Sequence, residues 1–413
     1  MFRRLAASLL ATLALCALAA HAAEWQITQP NVMTIAMGVS IPNDVIYVTG
    51  SDNGTGARIM RSFDNAATWE DIKPGNEISL MTLAMHHNPH TNTTTGIAAG
   101  IGMYQIFNGM AAAQDNGDTF ETIGEPVFVA GYQASGVTPS GTIGVVGMWS
   151  PNVREPLTYG IRMTNDNGQT FTDSTWPLEE APIRYASFPS DDVWYATGGT
   201  WPTSTSGRMA GKHHHGGARH HAPRDPTRKS AMLNEFFKFR TVRGNQAIEY
   251  LPTSTDPAAH AKDLANYVGV IAKTTDGGRT FNTVFHDVGN FYMNGIDCPS
   301  VDHCVAVAEG PAGGHIFVSD NGGASWNQTY THPEAGLFKV AMVSETHGWA
   351  IGGEVNPQTF NGLFPSTEDG GFTWTQAPLV PHVYVNDVAC TSMDNCVATA
   401  FHRNGQSVIL QLA

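Results

Sequence analysis

The chain is 413 residues long, with 22 Lys and Arg against 36 Asp and Glu and a net charge of −14. An acidic body of this kind repels nucleic acid and anionic lipid, so a general nucleic-acid role is excluded. Beyond residue 22 no apolar run approaches the roughly 20 residues that a membrane-spanning helix requires, which excludes an integral membrane segment.

Residues 1–22, MFRRLAASLLATLALCALAAHA, join an Arg pair to an apolar run and a small-residue site at Ala20-His21-Ala22. That order reads as a secretory signal peptide cleaved after Ala22. A lipoprotein reading through Cys16 is opposed by the bulk of Leu15. The mature chain, 23–413, is expected outside the cytoplasm, secreted to the extracellular space or the periplasm.

From residue 33 onward one strand-like pattern recurs seven times: MTIAMGVSIPND (33–44), LMTLAMHHNP (80–89), GYQASGVTPS (131–140), IRYASFPSDD (183–192), YMNGIDCPSVD (292–302), FKVAMVSETHG (338–348) and YVNDVACTSMDN (384–395). Equivalent positions Ala36, Ala84, Ala134, Ala186, Ile296, Ala341 and Val388 lie 45 to 52 residues apart, with one gap of 110. A Gly-rich apolar second strand follows each, as in VIYVTG (45–50) and WAIGG (349–353). A third strand then runs into an eight-residue phrase, and a fourth leaves it, as in TWEDI (68–72). Fixed periods of this size mark a repeat architecture.

The phrase appears six times: SFDNAATW (62–69), AQDNGDTF (113–120), TNDNGQTF (164–171), TTDGGRTF (274–281), SDNGGASW (319–326) and TEDGGFTW (367–374). Its common form, [S/T]-x-D-x-G-x-[T/S]-[W/F], is turn chemistry. The carboxylates of Asp64, Asp115, Asp166, Asp276 and Asp369, and the amide of Asn321 in the fifth copy, are placed to accept bonds from nearby N–H and O–H groups. The Gly supplies positive φ, and the aromatic anchors the turn. Ala66 replaces the Gly in the first copy, so the first and fifth turns are expected to be looser. Five Asp and one Asn at the same point of six copies argue for a folding device, since a catalytic group is needed once.

The phrase resembles the Asp-box, or BNR repeat, of sialidases, sortilin-type receptors, endoglucanase-like glycosidases and photosystem II assembly factors. The resemblance implies an all-β fold in which each box turns between the third and fourth strands of a propeller blade. Seven first strands against six boxes leave one blade incomplete. The C-terminus supplies three strands and Glu24–Thr28 resembles a fourth. The expected fold is a seven-bladed β-propeller of four-stranded antiparallel blades in one domain, 23–413, closed by the N-terminal strand joining the last blade.

The 110-residue gap places an insertion of about 200–266 in the fourth blade. Nine of the 22 basic residues fall in 205–245, with only Asp225 and Glu235 against them. Within it, KHHHGGARHH offers His213, His214, His215, His220 and His221, a set that would suit Zn²⁺, Cu²⁺ or Ni²⁺. A disordered polar loop or a protease-sensitive segment fits the same composition. Resemblance to other propellers puts ligands on the face this insertion overhangs, with the boxes on the opposite face.

Four cysteines follow the leader, in CPSVDHC (298–304) and CTSMDNC (390–396). Unrelated buried thiols or a metal pair are conceivable for either. Their matched place in the repeat, in an exported chain, favours disulfides Cys298–Cys304 and Cys390–Cys396.

First strands should line a central channel. Their polar and aromatic members, Tyr132, Arg184, Tyr185, Tyr292, Asn294, Lys339, Tyr384 and Asn386, are the candidate ligand-binding set. A sialidase site would need three arginines, and only Arg184 lies on a first strand. Other glycosidases and lyases need two acids across a cleft, for which Glu179, Glu180, Asp297 and Asp387 are candidates. Solvated or hydrogen-bonded structural acids are the simpler reading. Met33, Met37, Met81, Met85, Met293 and Met342 read as core filling. No cofactor is implied. The reading is a monomeric, exported, non-enzymatic propeller that binds a protein or carbohydrate. The alternatives are a glycoside hydrolase or lyase using channel carboxylates, and an assembly factor for a membrane complex.

Overall fold

A computed structural model describes residues 24–412 apart from positions 31, 53–55, 73–76, 104, 105, 107, 126, 153, 179, 180, 201–266 and 355–360. Residues 1–22, read as a signal peptide, the expected insertion with its five histidines, and Glu179 and Glu180 lie outside the described residues.

The described chain is almost wholly β. It opens with β1 (Trp25–Pro30), then a first unit of β2 (Ile35–Ser40), β3 (Ile46–Asp52), β4 (Gly56–Ser62) and β5 (Glu70–Asp71). The second and third units are β6 (Leu80–Asn88), β7 (Thr93–Met103), β8 (Met110–Gln114), β9 (Thr119–Thr122) and β10 (Val129–Val137), β11 (Ile143–Ser150), β12 (Thr158–Thr164), β13 (Thr172–Thr175). The fourth and fifth are β14 (Ile183–Ser187), β15 (Trp194–Thr200), β16 (Val268–Thr274), β17 (Asn282–Val288) and β18 (Tyr292–Asp297), β19 (Cys304–Gly310), β20 (Gly313–Ser319), β21 (Asn327–His332). There follow β22 (Ala335–Met342), β23 (Gly348–Glu354), β24 (Asn361–Leu363), β25 (Pro365–Thr367), β26 (Thr375–Gln376) and β27 (Val380–Pro381), and finally β28 (Val383–Ser392), β29 (Asn395–His402) and β30 (Ser407–Leu412).

Pairing is antiparallel throughout. Four sheets have four strands each; β7 also pairs with β10, which fuses the second and third units, and β22–β27 form a six-stranded sheet. In the last sheet β1 lies against β30 with Trp25 opposite Leu412, so the two ends of the described chain share one sheet. Trp25 is buried there, stacked on Phe364 at 4.4 Å and edge-on to Trp349 at 5.6 Å. The core lies between neighbouring sheets, as where Val305, Ile316 and Val318 meet Leu337, Val340 and Leu363. Sheet faces that bury one side on each neighbour explain why the strands alternate poorly and read as nearly continuous apolar runs.

The repeated turns are hydrogen-bonded as their composition predicts. In the first, Ser62 Oγ donates to Asp64 Oδ1 at 2.9 Å, and Asp64 accepts from Thr68 N at 2.8 Å and Thr68 Oγ1 at 2.6 Å. The same set recurs around Asp166, Asp276 and Asp369. The Thr68 hydroxyl and amide hold the Asp64 carboxyl down at about 2, and Asp166 and Asp276 are likewise at about 2 through Thr170 and Thr280.

The looser turn is not where the sequence pointed. Ala66 adopts φ 65° and keeps the full network, and Asn321 reproduces it by donating from Nδ2 to Ser325 Oγ at 2.8 Å. The second copy departs instead, because Ala113 has no hydroxyl to donate to Asp115; that turn is a 3-10 segment, Asp115–Gly117. Both cysteine pairs are disulfide-bonded, Cys298–Cys304 and Cys390–Cys396, each with Cα atoms 4.1 Å apart.

Candidate functional site

The seven strands that lead each unit, β2, β6, β10, β14, β18, β22 and β28, stand beside one another, with β28 returning to β2. Every one of them carries a bulge at the same point. The extra residues are Met37, Met81, Gln133, Arg184, Asn294, Phe338 and Asn386. A bulge leaves one residue unpaired and re-aims its side chain. Space for it comes from a small residue on the second strand: a Cβ on Gly50 would sit 1.7 Å from Ile35 O, and one on Gly352 would sit 2.0 Å from Gly336 O.

Polar groups on and beside the bulges tie each lead strand to the next. Arg184 Nη1 donates to Gln133 Oε1 at 2.8 Å, and its guanidinium lies 4.7 Å from the centre of the Tyr292 ring. Asn294 Nδ2 donates to Leu337 O at 2.8 Å, and Asn386 Nδ2 to Ala36 O at 2.8 Å. Ser187 Oγ donates to Asp297 Oδ1 at 3.2 Å, while Asp297 Oδ2 accepts from Met342 N at 2.8 Å. Lys339 Nζ pairs with Asp387 Oδ1, and Asp387 Oδ2 accepts from Val39 N at 3.1 Å. Thr82 and Ser135 share a 2.7 Å bond, and Met85 N donates to Ser40 Oγ at 3.3 Å.

Of the sequence candidates, Arg184, Tyr185, Tyr292, Asn294, Lys339, Asn386, Asp297 and Asp387 thus fall into one connected belt. Tyr384 belongs with it, 4.8 Å from the Phe338 ring. Tyr132 does not: it is fully buried among core residues near Trp149, accepting a 3.3 Å bond from Arg162. It immediately precedes the bulged Gln133, so the pleat turns it away from the belt. The belt is also tightly filled, with Met37, Met81, Gln133, Arg184, Asn386 and Asp387 all buried. Sequence reasoning missed Gln133, Ser187 and Phe338. No fixed column of the repeat marked Gln133 and Phe338: the bulges fall one residue after Ala36 but one to three before Ala84, Ala134, Ala186, Ile296, Ala341 and Val388.

Charge within the belt is compensated. Burial works against the Lys339 ammonium, but the Asp387 carboxylate beside it prevails and holds the amine above its ordinary range. Burial raises the Asp297 carboxyl, with the Met342 amide and Lys339 acting the other way. Both acids are therefore engaged by backbone amides and by one lysine. Among the described residues no group of three His, Cys, Asp or Glu is placed to hold a metal ion, and no helix is long and apolar enough to cross a membrane.

This arrangement of four-stranded antiparallel sheets around bulged lead strands is a β-propeller fold. No protein-family model matches the chain, and no curated protein matches it. Solved structures do. YCF48 bound to D1 peptide aligns over 94% of this chain and 96% of its own at 13% identity and TM-score 0.54. YCF48 from Cyanidioschyzon merolae gives 94%, 98%, 11% and 0.53. A GH74 xyloglucanase from Xanthomonas campestris covers 92% of this chain but only 53% of its own, at 12% identity and 0.53. A polysaccharide lyase of family PL25, an ulvan lyase, covers 95% of both at 8% identity and 0.53. At these identities the likeness speaks for fold alone.

Proposed function

We propose that the protein is an exported, seven-bladed Asp-box propeller that binds a protein or carbohydrate partner at the insertion-bearing end of its axis, without catalysing a reaction on it. The observation that carries this is the engagement of Asp297 and Asp387. Each accepts backbone N–H bonds, and Asp387 also holds Lys339. Hydrolysis of a glycoside needs one acid free to protonate and another free to attack or to activate water. The insertion-side end of the belt instead carries the part-exposed amide of Asn294 backed by the buried Arg184, Tyr292 and Tyr384, a mixture of cation, amide and aromatic groups that suits recognition once a partner reaches it.

Seven bulged lead strands, the six boxes and the β1–β30 pairing support the seven-bladed closed ring and the Asp-box assignment. Two disulfides and the leader at 1–22 support export to an oxidising compartment. The structural neighbours include a propeller bound to a peptide and propellers named for polysaccharide breakdown, the two partner classes proposed. The competing readings are a glycosidase or lyase drawing on Glu179, Glu180, Asp297 and Asp387, and an assembly factor that holds an immature complex.

The test is a binding screen of the mature protein on peptide and glycan arrays, with mass spectrometry of the same polysaccharides after incubation. Binding that weakens about tenfold in Arg184→Ala, the loss of roughly one charge-assisted contact, with no new fragments, is expected. Fragments that vanish in Asp297→Asn or Asp387→Asn would establish an enzyme and overturn this reading.

A further inference from the structure

We propose that Lys339 and Asp387 condense into an isopeptide bond that covalently joins lead strands β22 and β28. This goes beyond the binding role and uses none of the partner-facing groups. Three features of the belt converge on the pair. Lys339 Nζ is already against Asp387 Oδ1, and Asp387 is 4% exposed. Both carboxyl oxygens receive backbone amides, Oδ1 from Val388 N at 2.9 Å and Oδ2 from Val39 N at 3.1 Å. The Tyr185 ring, 5.7 Å from Nζ, shields the other side.

Amine, acyl carbon and oxyanion donors are what amide formation requires. The ion pair keeps the amine charged at rest, so reaction starts from the minor form in which a proton has moved to Asp387. That neutral pair loses less by being dry than the separated ions do. The amine then attacks Cγ while Val39 N stabilises the charge developing on Oδ2. A proton passes from Nζ to Oδ1 within the pair as the bond closes. The Nζ–Cγ bond forms, the Cγ–Oδ1 bond breaks, and Oδ1 departs as water with two of the three ammonium protons. The third stays on the amide nitrogen. No oxidant or co-reactant enters. Fixed juxtaposition supplies the drive, since effective molarities in such pairs reach roughly 10⁵ M or more.

The test is the mass of purified wild-type protein after its disulfides are reduced, followed by tryptic mapping. A protein lighter by one water than its sequence, with no cleavage after Lys339 and a branched peptide containing Lys339 and Asp387, is the expected result. Lys339→Arg and Asp387→Ala should restore the full mass while unfolding stays cooperative. Full mass in the wild type with normal cleavage at Lys339 overturns the proposal without recourse to any variant. Loss of water without the branched peptide overturns it equally.

Discussion

His315 should make the fold acid-sensitive well above the range where carboxylates titrate. Its ring is 3% exposed, set 4.9 Å from Phe291 and 6.5 Å from Phe317. Nδ1 lies 3.3 Å from Thr331 Oγ1, and Nε2 has no hydrogen-bond partner. Burial depresses the imidazole from 6.5 to about 4. The unfolded chain takes up this proton as pH falls through 6.5, whereas the folded chain resists until about 4. Stability present above pH 6.5 is therefore lost progressively down to about pH 4. At about 1.4 kcal/mol per pH unit the loss comes to roughly 3 kcal/mol, an upper figure for one group. His315→Phe keeps the aromatic packing and removes the titration. Denaturant melts of both proteins between about pH 7 and pH 4 should diverge, the wild type losing roughly 3 kcal/mol more than the variant. Carboxylates common to both cancel in the difference. Parallel curves would mean that His315 is not held neutral by its surroundings, and the reasoning fails.

Other outcomes follow from the same geometry. Ala66→Gly should raise stability by up to about 1 kcal/mol in thermal melts, because Ala66 sits at φ 65° where the other turns have Gly and a Cβ is strained there. Introducing Ala113→Thr should give Asp115 the hydroxyl partner that Asp64, Asp166, Asp276 and Asp369 have, a gain of about 1 kcal/mol read as a higher denaturation midpoint. Replacing Cys298 and Cys304 together by Ser should cost about 2 kcal/mol by the loop-entropy account, read from the denaturation midpoint. Asp64, Asp166 and Asp276 should stay ionised until about pH 2. Their contribution is therefore present above 3.8 and lost only as pH falls through that lower value, which acid melts of Asp276→Asn would reveal as a flatter limb.

The local devices were legible in the residues. Hydroxyl, Asp, Gly and aromatic at fixed offsets predict a turn because each group's partner lies within four residues, and the cysteines of CPSVDHC and CTSMDNC find theirs only six away. The strand order of each unit followed from the same period. What the sequence did not disclose depends on partners a unit or more away. Tyr132 and Arg184 looked equivalent as first-strand residues; a one-residue bulge buries the first in the core and turns the second toward Gln133. Lys339, Asp297 and Asp387 lie on three different units, up to 90 residues apart, and nothing local to any of them marks the others. Turn chemistry is short-range and so is written in the chain, whereas burial and charge pairing depend on which sheets pack together, which the tertiary structure alone decides.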